Sequence, residues 1–295
     1  MLWILATLVA AGAQTARNAM QSSLTATLGT LGATQVRFLY GLPFAAAFLA
    51  VAAAVAGTHV PGPTSEFLAF TFGGAIAQIA GTALLLAAMQ ARSFSVATAF
   101  SKTEAVQVAV FGVVLLGDRL TLVGAGAIVV ATGGVVLIAA KPGLALGTSG
   151  VRPVVYGIAS GACFAIASVG FRGGILELGL GAYYLRATTT LVWALAFQAL
   201  VLGAWMTVFA RRALLSSLAL WRQSLVAGFF GAFASQFWFL GFSLTAAANV
   251  RALGLVEVVF AYVVSHRVFA QRATAREAAG MGLVVAGVAL LLLTV

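Results

Sequence analysis

The sequence predicts an all-α, polytopic membrane protein of ten transmembrane helices, arranged as two inverted five-helix repeats around a central cavity. Three observations predict it. The composition is too apolar for water, long apolar segments recur along the chain, and rare charges recur at matching points of its two halves. Of 295 residues, 62% are hydrophobic and 7% charged. A soluble domain carries about 25% charged residues. Six acids and sixteen bases are too few to coat a water-exposed surface of this size, and so apolar a chain is not disordered either. The 33 glycines suit close packing of membrane helices, and the 21 phenylalanines are at home in lipid.

A net charge of +10 raises nucleic acid as a partner. The bases, however, stand mostly singly beside apolar segments, and no segment gathers them into a groove-binding face. They read instead as markers of topology and of contact with the lipid bilayer. The single cysteine, Cys163, forms no internal disulfide.

A span needs about 20 mostly apolar residues. On that basis the first half holds Met1–Met20, Ala33–Ala56, Phe67–Gln90, Phe94–Leu116 and Thr121–Ala140. The second holds Pro153–Gly173, Ala182–Ala210, Gln223–Leu244, Val250–Phe269 and Ala275–Val295. The first segment lacks a basic leader and a small-residue cleavage site, so it reads as a span and not a signal peptide. Gly57–Glu66 carries two prolines and Gly62, which is turn chemistry. The Gly/Pro-rich break Lys141–Pro153 falls almost at the midpoint. The division that follows is a repeat over 1–140, a linker over 141–152 and a second repeat over 153–295.

Internal similarity supports that division. A shift of 153 lays Arg119 on Arg272, Thr121 on Thr274 and Glu104 on Glu257. Arg37 and Arg186 open the second span of their halves, and Arg17 and Arg172 close the first. Five is odd, so two like-built halves run in opposite directions through the bilayer. In transporters built this way the substrate site lies near the midplane, between the repeats.

Charges inside apolar spans carry the chemistry. Each costs about 2.5–3.5 kcal/mol at a helix centre on insertion scales, so it faces protein or a cavity. The fourth span places Lys102, Glu104 and Gln107 near its middle, with Glu104 and Gln107 on one face. Lys102 lies about 200° round the helix from Glu104, so the two need not pair with each other. The ninth span carries Arg251 near one end, Glu257 deeper and Tyr262 beyond. Either Lys102, Glu104, Gln107 and Glu257 meet a polar or zwitterionic solute, or they form interhelical pairs that fix the bundle. Arg251, closer to an end, either joins this set or simply snorkels.

Gln14, Gln78, Gln198 and Gln236 each want a partner inside an apolar span. Gln14 and Gln78 are taken as the stronger site candidates. The eighth span is aromatic, and Phe230, Phe233 and Phe237 share a face. They line a pocket or serve as packing bulk; Trp238, on the same span, completes the set of substrate-binding candidates. Trp205 and Trp221 fit an interfacial belt, and Gly157 and Gly161 form a close-approach G-x-x-x-G pair. No zinc, P-loop or nucleophile-elbow motif is present in the sequence, so no catalytic residue, metal or cofactor is expected.

Gly117-Asp118-Arg119-Leu120-Thr121, the helix after it and the two halves resemble the drug/metabolite transporter superfamily in its ten-helix EamA branch. The second copy, Ala270–Thr274, has lost the glycine and the acid. The resemblance implies a bacterial inner-membrane, multi-pass secondary transporter, not an enzyme. It implies export of small amphipathic metabolites by alternating access, above all of amino acids, aromatic ones included. Protons are a possible coupling ion. The alternatives are a cargo of drugs, nucleotide-sugars or sugar phosphates, or, in a different class, a membrane-embedded enzyme or a scaffold. Counting Lys and Arg by the positive-inside rule puts both termini outside the cytoplasm.

Overall fold

The computed structural model describes residues 1–90, 100–139, 152–179, 181–260 and 274–294. Among them every regular element is a helix. Among the described residues six helical stretches are long and apolar enough to cross a membrane: Leu31–Ala56, Ser65–Ala88, Val154–Glu177, Tyr183–Phe209, Trp221–Leu244 and Ala275–Leu292. Two shorter apolar helices cover Glu104–Leu116 and Leu122–Ile138. The chain is therefore an α-helical, multi-pass membrane protein.

By compactness it divides into a first unit, Met1–Ile76 with Gly170–Thr245, and a second, Ala77–Val169 with Ala246–Val295. Each unit draws on both halves of the sequence. Helices α3 (Ser65–Gln90) and α6 (Arg152–Glu177) each begin in one unit and end in the other.

In the first unit α1 spans Leu2–Leu39. It runs through residues 21–32, where a loop between two spans is expected. That stretch has no proline and no charge, so nothing there forbids helical hydrogen bonding. Its one interruption is Gly29, at φ 66 and ψ 173, a backbone conformation that side chains other than glycine's rarely adopt. A turn at Tyr40–Gly41 leads to α2 (Leu42–Ala56), with Pro43 in the first turn, where its missing N–H costs nothing. Gly57 stops α2 in the left-handed conformation. Thr64 then caps α3, its hydroxyl accepting from the Phe67 N–H at 3.1 Å.

The unit is completed by the end of α6, α7 (Tyr183–Phe209), α8 (Arg211–Ala219) and α9 (Trp221–Leu244). Helix α8 occupies residues expected to be a loop. Small residues let the helices touch: a Cβ at Gly228 would lie 2.6 Å from the Tyr40 carbonyl oxygen, and one at Gly170 2.9 Å from that of Phe70. The α9 aromatics pack as a ladder, with Phe229 against Phe44 at 5.3 Å and Phe233 against Phe237 at 4.9 Å. Arg172, expected to close the sixth span at a membrane face, instead donates to the carbonyls of Phe242 and Thr245 at the C-terminal end of α9. Arg17, also expected at a span end, is buried within α1, and its stem and that of Arg37 flank Gly231 of α9.

In the second unit α4 (Glu104–Leu116) ends at Gly117, again left-handed at φ 65. Thr121 restarts the chain as α5 (Leu122–Ala139), its hydroxyl accepting from the Gly124 N–H at 3.0 Å. The Gly117–Thr121 motif is thus a helix stop followed by a helix start. Thr274 does the same for α11 (Ala275–Leu292), in a reciprocal box with Glu277. Helix α10 (Ala247–Gly254) precedes Glu257. Helices α5 and α11 are antiparallel and in close contact: a Cβ at Gly280 would lie 2.7 Å from the Gly134 oxygen, and one at Gly287 2.7 Å from the Ala127 oxygen. The linker expected at 141–152 lies outside the described residues except for Arg152, which opens α6.

Candidate functional site

Two interruptions in helical hydrogen bonding build the site, both in the second unit. The helix around Phe100 turns at Lys102–Thr103 and resumes as α4 at Glu104. There the Thr103 N–H donates to the Phe100 oxygen at 3.3 Å and the Ala105 N–H to the Lys102 oxygen at 3.4 Å. The chain after α10 turns at Leu255–Val256 and resumes at Glu257. There the Val256 N–H donates to the Leu253 oxygen and the Val258 N–H to the Leu255 oxygen, both at 3.1 Å. The shift that superposes Glu104 on Glu257 in sequence superposes these bonds one on one. Short three-residue hydrogen bonds of this kind tighten the helix and re-aim the side chains that follow.

The result is two crossed ion pairs. Lys102 Nζ bonds Glu257 Oε1. Arg251 Nε lies 3.0 Å from Glu104 Oε1 and donates to Ser168 Oγ at 2.9 Å. Ser168 in turn is 3.5 Å from Glu104 Oε1 and donates to the Phe164 carbonyl. Each glutamate beginning a helix after a break is neutralised by a cation on the other segment. The side chains retain 22% exposure at Lys102, 11% at Glu257, 18% at Arg251 and 13% at Glu104. They are enclosed enough for their charges to need pairing and open enough to be reached.

Around them, Gln107 donates to the Thr103 hydroxyl at 3.0 Å and to the Ile158 carbonyl at 3.4 Å. The Thr103 hydroxyl donates to the Phe100 carbonyl at 2.6 Å, securing the turn. Helix α6 comes close here because residue 161 is glycine: a Cβ there would lie 2.9 Å from the Ser101 oxygen and 3.2 Å from the Glu104 nitrogen. Of the G-x-x-x-G pair, Gly161 thus has a defined task.

The expected site residues are therefore divided. Lys102, Glu104, Gln107 and Glu257 come together in the second unit. Gln78 belongs to that unit as well, half-buried on α3, its backbone oxygen accepting from Thr82. Gln14 and Trp238 belong to the first unit, where the indole N–H donates to Gln14 Oε1 at 3.0 Å. Gln236 donates to the Thr188 hydroxyl at 2.8 Å, an interhelical bond within the first unit. Tyr262 lies outside the described residues.

Two participants stand outside the expected set of site residues. Of the two readings of Arg251, the structure favours the site: it is held against Glu104 and Ser168. Its signal was an arginine six residues before an intramembrane glutamate, legible only once the turn between them is known. Ser168 carries no signal, being one small polar residue among many. Among the described residues no group of three or more His, Cys, Asp and Glu is placed to hold a metal ion.

No family model matches the chain, and no curated protein matches it. Solved structures do. One, described as "Crystal structure of protein", is 15% identical over 99% of this chain and 96% of that one, with a TM-score of 0.73. At that identity the likeness is one of fold.

Proposed function

We propose that this chain is a secondary transporter of the drug/metabolite transporter kind, exporting small zwitterionic metabolites, amino acids above all, across a bacterial inner membrane by alternating access. The observation that carries this reading is the pair of crossed ion pairs at Lys102–Glu257 and Arg251–Glu104. The four groups sum to zero charge, with cations and anions alternating. A solute bearing one carboxylate and one ammonium exchanges into such a set without leaving net charge in a low-dielectric site: its carboxylate replaces a glutamate beside a cation, and its ammonium replaces a cation beside a glutamate. A phosphorylated cargo calls for convergent unneutralised cations, and in this cluster each cation already faces a glutamate.

The inverted repeat has structural support of the same kind. Equivalent breaks precede Glu104 and Glu257, and the Gly134–Gly280 contact maps onto Gly287–Ala127 when the halves are exchanged. Two copies in antiparallel contact are what a pseudo-two-fold axis in the membrane plane produces.

Flux of labelled amino acids in proteoliposomes tests the function, comparing wild type with Glu104→Gln and Lys102→Ala. Transport of at least one amino acid is expected, reduced by at least tenfold in both variants. Normal flux in correctly folded variants would remove the cluster from the mechanism. Repeating the assay with imposed pH gradients reads out proton coupling.

A further inference from the structure

Helix α8 and the two helix ends beside it carry a feature that solute transport does not use. α8 joins the end of α7 to the start of α9, all within the first unit. Its inner face is fixed to the protein. The Ser217 carbonyl accepts from the Tyr40 hydroxyl at 3.3 Å and from Ser224 at 3.4 Å, and a Cβ at Gly32 of α1 would sit 3.5 Å from the Ala213 oxygen. Ser217 is buried, and Leu220 packs against the cluster of Leu28, Ala33, Val36 and Ala227.

Its outer face is a mixture no aqueous surface favours. Arg211, Arg212 and Arg222 are exposed, and among them stand exposed Leu215, Leu218 and Trp221. Phe209, at the end of α7, is 70% exposed. The Arg222 guanidinium lies 5.4 Å from the centre of the Trp221 ring. The chain holds no Asp or Glu from 178 to 256, so no carboxylate from this stretch neutralises the three arginines. A short helix of this make-up, set between two membrane-crossing helices, lies in the interface, with its leucines in the acyl boundary and its arginines among the phosphates.

We propose that this face is a binding site for anionic phospholipid headgroups. Arg211, Arg212 and Arg222 hold the phosphates, and Leu215, Leu218 and Trp221 anchor the helix beneath them. Three arginines on a short helix between spans and at the start of the next span place it in the cytoplasmic leaflet. Each basic residue near an anionic surface contributes roughly fivefold in partitioning, screened by salt over about 8 Å at physiological ionic strength.

The full chain is reconstituted in phosphatidylcholine bilayers containing equal small fractions of brominated phosphatidylglycerol or brominated phosphatidylcholine. Quenching of Trp221 is read as the difference between wild type and Trp221→Phe. The phosphatidylglycerol probe is expected to quench several-fold more at low salt. The preference should fall towards unity in 1 M salt and in the Arg211→Gln, Arg212→Gln, Arg222→Gln triple variant. Should the triple variant fail to fold, the single Arg212→Gln variant and the wild-type salt titration carry the test. Equal quenching by both probes, or quenching of Trp221 by aqueous iodide instead, overturns the site. Trp221 shielded from lipid and water alike by a second copy of the chain overturns it as well. In a Cys163→Ser background, labelling of Ser216→Cys by a membrane-impermeant thiol reagent from the cytoplasmic side alone supports the leaflet, and labelling from the outer side overturns it.

Discussion

Glu104 and Glu257 occupy the same place in two copies of one local structure. Each begins a helical segment directly after a turn, and each is neutralised by a basic residue on the other segment, Glu104 by Arg251 and Glu257 by Lys102. The crossing makes the charge balance of each segment depend on the other. Each glutamate, re-aimed by its own turn, meets a cation on the other segment.

Reversing the Lys102–Glu257 pair separates charge balance from residue identity. Removing one partner of an enclosed pair leaves a charge unmatched and costs about 3–5 kcal/mol. Because Lys102 keeps 22% exposure, the low end applies, about 3 kcal/mol for Glu257→Gln. The exchange Lys102→Glu with Glu257→Lys should recover most of it. Detergent unfolding midpoints measure both; equal destabilisation by the single and the exchanged variants would show that geometry, and not charge, holds the site.

Arg251 bridges two acceptors from one nitrogen, and a lysine ammonium does not reproduce that fixed planar geometry. Arg251→Lys should keep the protein folded while lowering flux severalfold. Ser168→Ala, which removes the hydroxyl's bonds with Arg251 and the Phe164 carbonyl but leaves the ion pair, should cost about 1–3 kcal/mol. Thermal unfolding and proteoliposome flux on the same preparations discriminate the two. Identical behaviour of Arg251→Lys and wild type would mean that the bridge has no role.

Gly161 sets the approach of α6 to the turn at Lys102–Thr103. A valine there has no room beside the Ser101 oxygen, and overpacking of this kind costs about 1–3 kcal/mol. Because the displaced backbone is that of Ser101 and Glu104, flux should fall further than stability. Gly126→Val is the control, since a Cβ at Gly126 meets nothing within 4 Å. Comparable losses in both variants would locate the effect in general helix damage.

The α5–α11 contact predicts a matched pattern. Gly280→Val and Gly287→Val should each destabilise by about 1–3 kcal/mol, because each Cβ meets backbone atoms at under 3.0 Å. Gly282→Ala lies two residues from one of them in open space and should be neutral or slightly stabilising, as alanine is the better helix former. Unfolding midpoints in a lipid-like detergent report the series. A large loss at Gly282 would contradict the packing of α11 through Gly280 and Gly287.

Much of this was legible beforehand. Composition alone set the membrane class, since so few charges leave no other solvent. The apolar segments located α3, α5, α6, α7, α9 and α11 to within a few residues, because Gly, Pro and Thr punctuate their ends. The placement of rare charges singled out Lys102, Glu104 and Glu257, because lipid penalises each one heavily. Where the reading was too coarse, the backbone overrode composition: the break expected over 21–32 narrowed to a kink at Gly29, and the run after Phe209 folded into α8 in place of a loop.

What the sequence by itself determined is which residues are expensive in a membrane and where the helices start and stop, both of them local properties. What tertiary structure decided is which expensive residues meet. Lys102 and Glu257 are 155 residues apart, and no periodicity links them. A helix surrounded by lipid is apolar on every side, so its pattern of hydrophobicity does not reveal the face it buries. Only the close approach of small residues such as Gly161, and the turns that re-aim Glu104 and Glu257, fix the partners.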